Sequence, residues 1–287
     1  MTTMNSTRSH TYGQSFFHTV GDGRRLHYMI SGSGTPTVVF ESGMGFSRSV
    51  WGLVQPLVAE RARTVVYDRA GMGRSDPDTA PRTLRRIADD LDSLLRALGP
   101  GPFILVGHSW GGPIVRVAAA TDPSRIRGIV LVDQSDERCD MYFDPSGSKR
   151  QAMMRVLVPL LARLGIYRLL GSRAGRNQPA DVAADHRNED FTVQAARAMI
   201  AELAPFNDEL AKLRNHPLDL GDLEVSLISG TKMSLLERSV RPAIAAAHRQ
   251  TAAALANGRW VEAPNSGHLV IFSEPELIAN EINRMIG

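Results

Sequence analysis

Residues 102–112 read Pro-Phe-Ile-Leu-Val-Gly-His-Ser-Trp-Gly-Gly. The apolar run from Phe103 to Val106 is too short for a helix and suits a buried strand, while residues 111–120 carry a helical pattern. Gly107 and Gly111 let the chain turn sharply from one to the other. Ser109 then sits on a tight elbow, its hydroxyl clear of the sheet and the following N–H pointing into the same space. Two readings compete: an inert glycine turn with a spectator serine, or a nucleophile held up for use. A serine hydroxyl is weak at neutral pH, so the second reading demands a base, a group that orients the base, and donors for the oxygen that gains charge.

Working outward, short β-rich runs alternate with helical patterns, which marks βαβ units and a largely parallel sheet. Residues 15–20 and 25–31 flank Gly21-Asp22-Gly23 and predict an antiparallel hairpin at the sheet edge. Residues 37–41 and 64–68 predict strands, and residues 50–61 and 83–97 predict helices. After a strand at 129–132 the alternation stops from residue 135 to about 219, where the pattern is helical and loop-like. It resumes with strands at 225–229 and 259–262 and helices at 242–257 and 274–286. The expected organisation is one α/β core, residues 1–134 and 220–287, split by a helical insertion over residues 135–219.

The bulk properties narrow the class. A chain of 287 residues is long enough to bury a sizeable core. Cys139 is the only cysteine, so an intrachain disulfide is impossible, which fits a reducing compartment. Residues 1–20 hold no apolar run of the secretory type, and no stretch reaches the length of a membrane-spanning helix. A soluble, cytoplasmic protein is expected. The net charge of +3 is too small to favour nucleic acid. No His-Glu-x-x-His, cysteine cluster or Walker phosphate loop occurs, so neither a metal nor another cofactor is expected.

Besides residues 107–112, two segments carry a family pattern: Tyr67-Asp68-Arg69-Ala70-Gly71-Met72-Gly73-Arg74-Ser75-Asp76, and Asn265-Ser266-Gly267-His268-Leu269 near the C-terminus. In type and in order along the chain, the three resemble the serine members of the α/β-hydrolase fold family, esterase- or lipase-like with a helical lid. The resemblance implies a mostly parallel central sheet flanked by helices, with the lid inserted after strand six. It also implies a nucleophile at Ser109 and a base at His268, the one histidine of eight that follows a late strand in a small-residue loop. Many relatives carry the acid three residues after the glycine that ends strand seven, but Gly230-Thr231-Lys232-Met233 puts a methionine there. Others carry it at the end of strand six, where Asp133 closes Ile129-Val130-Leu131-Val132. Asp133 is therefore the expected acid, with Asp136 and Glu237 as alternatives. In the loop Glu41-Ser42-Gly43-Met44-Gly45, Ser42 stands where relatives usually have histidine. By position, the oxyanion-hole donors are the backbone N–H groups of Met44 and Trp110. Asp68, Arg69, Arg74 and Asp76 are expected to brace the loop after strand four rather than to catalyse.

The implied reaction is hydrolysis of an ester of a small or medium hydrophobic carboxylic acid through an acyl-enzyme on Ser109. Amide or aminopeptidase-type cleavage, carbon–carbon bond hydrolysis, and a non-catalytic ligand receptor on the same scaffold remain open. Within the insertion, residues 153–164 have apolar side chains at 154, 157, 158, 161 and 164, making one greasy face on a helix interrupted by Pro159. Around it, residues 145–180 hold seven basic residues (Lys149, Arg150, Arg155, Arg163, Arg168, Arg173, Arg176) and no Asp or Glu. Such a face can pack on the core, line an acyl-binding tunnel, or make weak contact with an anionic membrane surface.

Overall fold

Eight strands form one sheet in the computed structural model, which describes residues 10–234, 238 and 240–287, with residues 145–150 described by their backbone alone. The predicted edge hairpin is present as β1 (Gln14–Thr19) and β2 (Arg25–Ser31), and its turn is closed by the Gly23 N–H donating to the Val20 carbonyl at 2.9 Å. The remaining strands are β3 (Thr37–Glu41), β4 (Arg63–Tyr67), β5 (Phe103–His108), β6 (Ile126–Val132), β7 (Glu224–Gly230) and β8 (Asn257–Ala263). They lie in the order β1-β2-β4-β3-β5-β6-β7-β8, antiparallel in the first two pairings and parallel in the rest.

β3 and β5 are buried at every position, because helices cover both faces of the parallel part. Alternate residues supply two cores. Val39, Leu105 and Ile129 point to one face, and Val38, Ile104 and Val130 to the other. Glu41 pairs with Gly107, His108 with Val132, and Gly230 with Ala263, so β3, β5, β6, β7 and β8 all end at one edge of the sheet. In open parallel sheets, sites gather beyond that edge.

The first half carries α1 (Gln55–Ala59), α2 (Leu84–Leu98) and α3 (Gly111–Thr121). The helix expected over residues 50–61 is divided into a 3-10 turn, Arg48–Trp51, and the short α1. Its break has two local causes: the Gly52 N–H is taken by Gln178 Oε1 at 2.9 Å, and Pro56 has no N–H to continue a helix. Between β6 and β7 the chain forms α4 (Pro145–Arg163), α5 (Ile166–Gly171), α6 (Ala180–Glu189), α7 (Val193–Leu203) and α8 (Phe206–Asn215); α9 (Arg241–Ala254), α10 (Val270–Ser273) and α11 (Pro275–Ile286) complete the second half. Ion pairs hold the inserted helices to the segments that follow β3 and β4. Arg48 reaches Asp185 at 2.5 Å and Glu189 at 2.7 Å, and Arg69 reaches Glu202 at 2.9 Å. Among the described residues, no helix is long and apolar enough to cross a membrane.

Candidate active site

β5 ends at His108, and Ser109 follows with φ at 52°, in the left-handed region that residues with a side chain rarely occupy. The elbow is fixed from three sides: the Ser109 N–H donates to the Val132 carbonyl at 3.0 Å, and the Ser109 carbonyl accepts from the N–H groups of Gly112 and Ser135. A Cβ on Gly107 would lie 2.5 Å from the Gly111 carbonyl oxygen, and one on Gly111 would lie 2.5 Å from that of Glu41. Both glycines are therefore required by close backbone approach, which is the physical content of the Gly-x-Ser-x-Gly pattern.

Asp133 leaves the end of the neighbouring β6 with the other positive φ of a non-glycine described residue, 42°. Its Oδ1 accepts the Gly230 N–H at 3.0 Å, and its Oδ2 accepts from His268 Nδ1 at 2.7 Å and from Arg241 Nη1 at 2.6 Å. Burial alone would raise this carboxyl; the hydrogen bond and charge of His268, with further help from His248 and Arg241, hold it well below the ordinary aspartate value. An ionised carboxylate only accepts, so His268 carries its proton on Nδ1 and leaves Nε2 as the acceptor. The His268 side chain is 40% exposed, whereas that of Asp133 is fully buried.

The alternative acids lie elsewhere. Asp136 is buried against its own loop, accepting from Gln134 Nε2 and the Arg138 N–H, both at 2.9 Å. Met233, at the usual acid position, is exposed. Glu237 lies outside the described residues.

Ser109, His268, Met44 and Trp110 share the wall of one cavity of about 450 Å³, within the range of small-molecule sites. Much of its apolar lining comes from the insertion, namely Met154 of α4, Leu203 of α7 and Phe206 of α8, the last packed on Trp110 at 4.9 Å between ring centres, with Gln151 and Asn207 beside them. Among the described residues, no hydrogen bond within the protein engages the backbone N–H of Met44 or of Trp110. The loop that carries Met44 is pinned from below by Arg69, which donates to the carbonyls of Ser42 and Gly43 and pairs with Glu41 and Glu202. Asp68 likewise accepts from His27, Arg48 and the Arg74 N–H, while Asp76 pairs with Arg25. The four charged residues of residues 68–76 thus act as braces. His108 adjoins the elbow without entering the cavity wall. Its Nε2 donates to the His268 carbonyl at 3.1 Å, and full burial, reinforced by the neighbouring His268, pushes it down to about 3.

Comparison with known proteins bears on this geometry. The model of the Alpha/beta hydrolase family matches residues 38–281. The chain belongs to the alpha/beta hydrolase family.

Among solved structures, this alpha/beta hydrolase is similar to a hydrolase from Pseudomonas aeruginosa PA01 (TM-score 0.70, 22% identity, 96% of this chain and 99% of that one). It is also similar to the esterase EaEST from Exiguobacterium antarcticum (TM-score 0.74, 16% identity, 95% and 99%). At such identities the likeness establishes the fold alone. A 108-residue stretch, 38% of this chain, is 35% identical to the Azorhizobium caulinodans protein named "Putative carbamate hydrolase RutD", and spans 40% of that relative's length.

Within the hydrolase site one residue is not foreseen from the sequence: Arg241, whose guanidinium shares Asp133 Oδ2 with His268 and whose side chain reaches the cavity wall. A signal for it exists. An arginine at the first position of a helix opposes the helix dipole, so Arg241 opening α9 points to a carboxylate partner nearby. A hydroxyl and an imidazole on one cavity wall, the imidazole bonded to a buried carboxylate, are the kinds of group that acyl transfer needs.

Proposed function

We propose that this hydrolase is a serine esterase that cleaves esters of small or medium hydrophobic carboxylic acids through an acyl-enzyme on Ser109. The observation that carries the reading is the hydrogen bond to buried Asp133 from His268, which lines the same cavity as Ser109. In the first half-reaction Ser109 Oγ attacks the ester carbonyl carbon, and His268 Nε2 takes the hydroxyl proton. Asp133 keeps the imidazole in the tautomer that accepts there and stabilises the imidazolium. The carbonyl oxygen, now negative, is held by the N–H groups of Met44 and Trp110. When the tetrahedral intermediate collapses, the C–O bond to the alcohol breaks and the alcohol leaves with the proton from His268. Water then attacks the acyl carbon, giving a proton to His268, and the acid departs as Ser109 regains its proton. Met154, Leu203 and Phe206 supply the apolar surface for the acyl chain, with α4 to α8 acting as the lid that excludes water from it.

A panel of p-nitrophenyl esters of increasing chain length tests the reading. Turnover on short and medium chains, lost in Ser109→Ala, is the expected result. Inactivity at every chain length, with cleavage of aminoacyl amides, would replace esters by amides as the substrate. A carbamate presents the same kind of acyl carbon, and the relative from Azorhizobium caulinodans carries that substrate in its name, so an aryl carbamate belongs in the panel. Faster acylation by it than by any ester would make the carbamate reading the better one.

A further inference from the structure

The greasy helix of the insertion has two apolar faces. Met154, Val158 and Ala162 of α4 turn inward, the first two packing beside Met199 and Met72. Another face presents Met153, Val156, Leu157 and Leu160 to solvent, Leu164 is exposed in the turn that follows, and α5 exposes Leu169 and Leu170. Val156 is 72% exposed and Leu164 and Leu169 are each 63% exposed. Of the eleven large apolar side chains exposed among the described residues, eight fall between residues 153 and 170. Scattered exposed leucines are ordinary, but eight large apolar side chains exposed within one stretch of two successive helices mark a surface that something covers.

Charge decides what covers it. Residues 145–180 contain basic side chains and no Asp or Glu. Arg155, Arg163, Arg168 and Arg173 are exposed along the same two helices and the turn after them. A second copy of the chain, docked by two-fold symmetry, would set these arginines against one another with no carboxylate of the same segment to meet them. An anionic bilayer matches both features: the stripe enters the boundary between headgroups and acyl chains, and arginines around it extend to the phosphates. We propose that the outer face of α4 and α5 binds anionic membrane surfaces, with the protein lying on the bilayer rather than spanning it. Because α4 also lines the Ser109 cavity through Met154, the lipid-facing helix and the cavity wall are the same element.

The test is co-sedimentation of the full chain with vesicles of phosphatidylserine and phosphatidylcholine in equal parts, against vesicles of phosphatidylcholine alone. Partition is expected to be at least about tenfold stronger on the anionic vesicles and to weaken as salt is raised. Arg163→Gln and Arg168→Gln should each weaken it about fivefold. Leu160→Glu should abolish it while leaving the circular-dichroism spectrum and thermal midpoint as in the parent, since position 160 faces solvent. Ser109→Ala should partition as the parent does, so a failure of the esterase reading and a failure of this one are told apart. Equal or absent partition on the two vesicle types overturns the proposal. So does a stable dimer in sedimentation velocity that Leu160→Glu dissociates, because the stripe would then be covered by a second copy.

Discussion

Asp133 and Met233 divide the question of the acid between them. The bond from His268 Nδ1 runs to Asp133, at the end of β6, while Met233 after β7 is exposed. Asp133→Asn should keep the fold yet lower kcat by about 10³–10⁴-fold, because a neutral amide no longer fixes the accepting tautomer or stabilises the imidazolium. Steady-state kinetics on a p-nitrophenyl ester, alongside the thermal midpoint, checks this; a loss below tenfold in a folded variant would remove Asp133 from the mechanism. His108 makes a separate prediction about stability. It is held near 3 by burial in the folded chain and returns to about 6.5 on unfolding, so between those values the unfolded state binds the extra proton. Stability therefore rises with pH across that window and is lost as pH falls through it, by roughly 5 kcal/mol at most. Urea titrations at a series of pH values should show this slope, and His108→Gln should flatten it. The Asp133 contribution has the same sign but fades only below about 4, where that carboxyl titrates in the unfolded chain. Ser109 and its elbow were legible from sequence because strand, glycines and helix all act within a few residues. The Arg241–Asp133 contact was not, since it joins positions 108 apart and only the folded sheet brings them together.

At the scale of elements, periodicity predicted well wherever one face alone is buried. α2 runs from Leu84 to Leu98 with Leu84, Ile87, Leu91, Leu94 and Leu95 inward, as its spacing requires, and the Thr83 side chain caps its start. The helix expected over residues 50–61 fails for a tertiary reason, since the Gly52 N–H is drawn to Gln178 of the insertion. In α4 the predicted greasy face mixes two surfaces: residues 154, 158 and 161 are half-buried, whereas 157 and 164 belong to the exposed stripe. A helix with apolar side chains on two faces gives an ambiguous phase to read. The elbow itself supplies a prediction at this scale. Gly111→Ala would press a methyl to 2.5 Å from the Glu41 carbonyl, so the start of α3 or the end of β3 must shift. A loss of about 1–3 kcal/mol is expected from thermal unfolding, together with reduced acylation. Unchanged stability would mean that the approach of the two backbones is not a constraint.

For the whole molecule, strand alternation was enough to foresee a largely parallel sheet with an antiparallel hairpin at one edge, because each parallel crossover needs a covering helix. How the inserted helices sit was not legible. Their placement rests on ion pairs between distant segments, Arg48 with Asp185 and Glu189, and Arg69 with Glu202, and no local pattern announces such partners. Arg69 ties the loop bearing Met44 to α7, so the insertion and that loop are braced by one guanidinium. The same edge of the sheet brings Ser109, His268, Met44 and Trp110 to one cavity, with Asp133 bonded behind His268, and that convergence is the basis for proposing covalent catalysis at Ser109. Its most direct test is reaction of the full chain with a fluorophosphonate, followed by intact and peptide mass. One label per chain is expected, on Ser109, absent in Ser109→Ala and much slower in Asp133→Asn. A folded chain that stays unlabelled while binding a small hydrophobic ligand tightly would contradict it, and the cavity would then be a receptor site on a hydrolase scaffold.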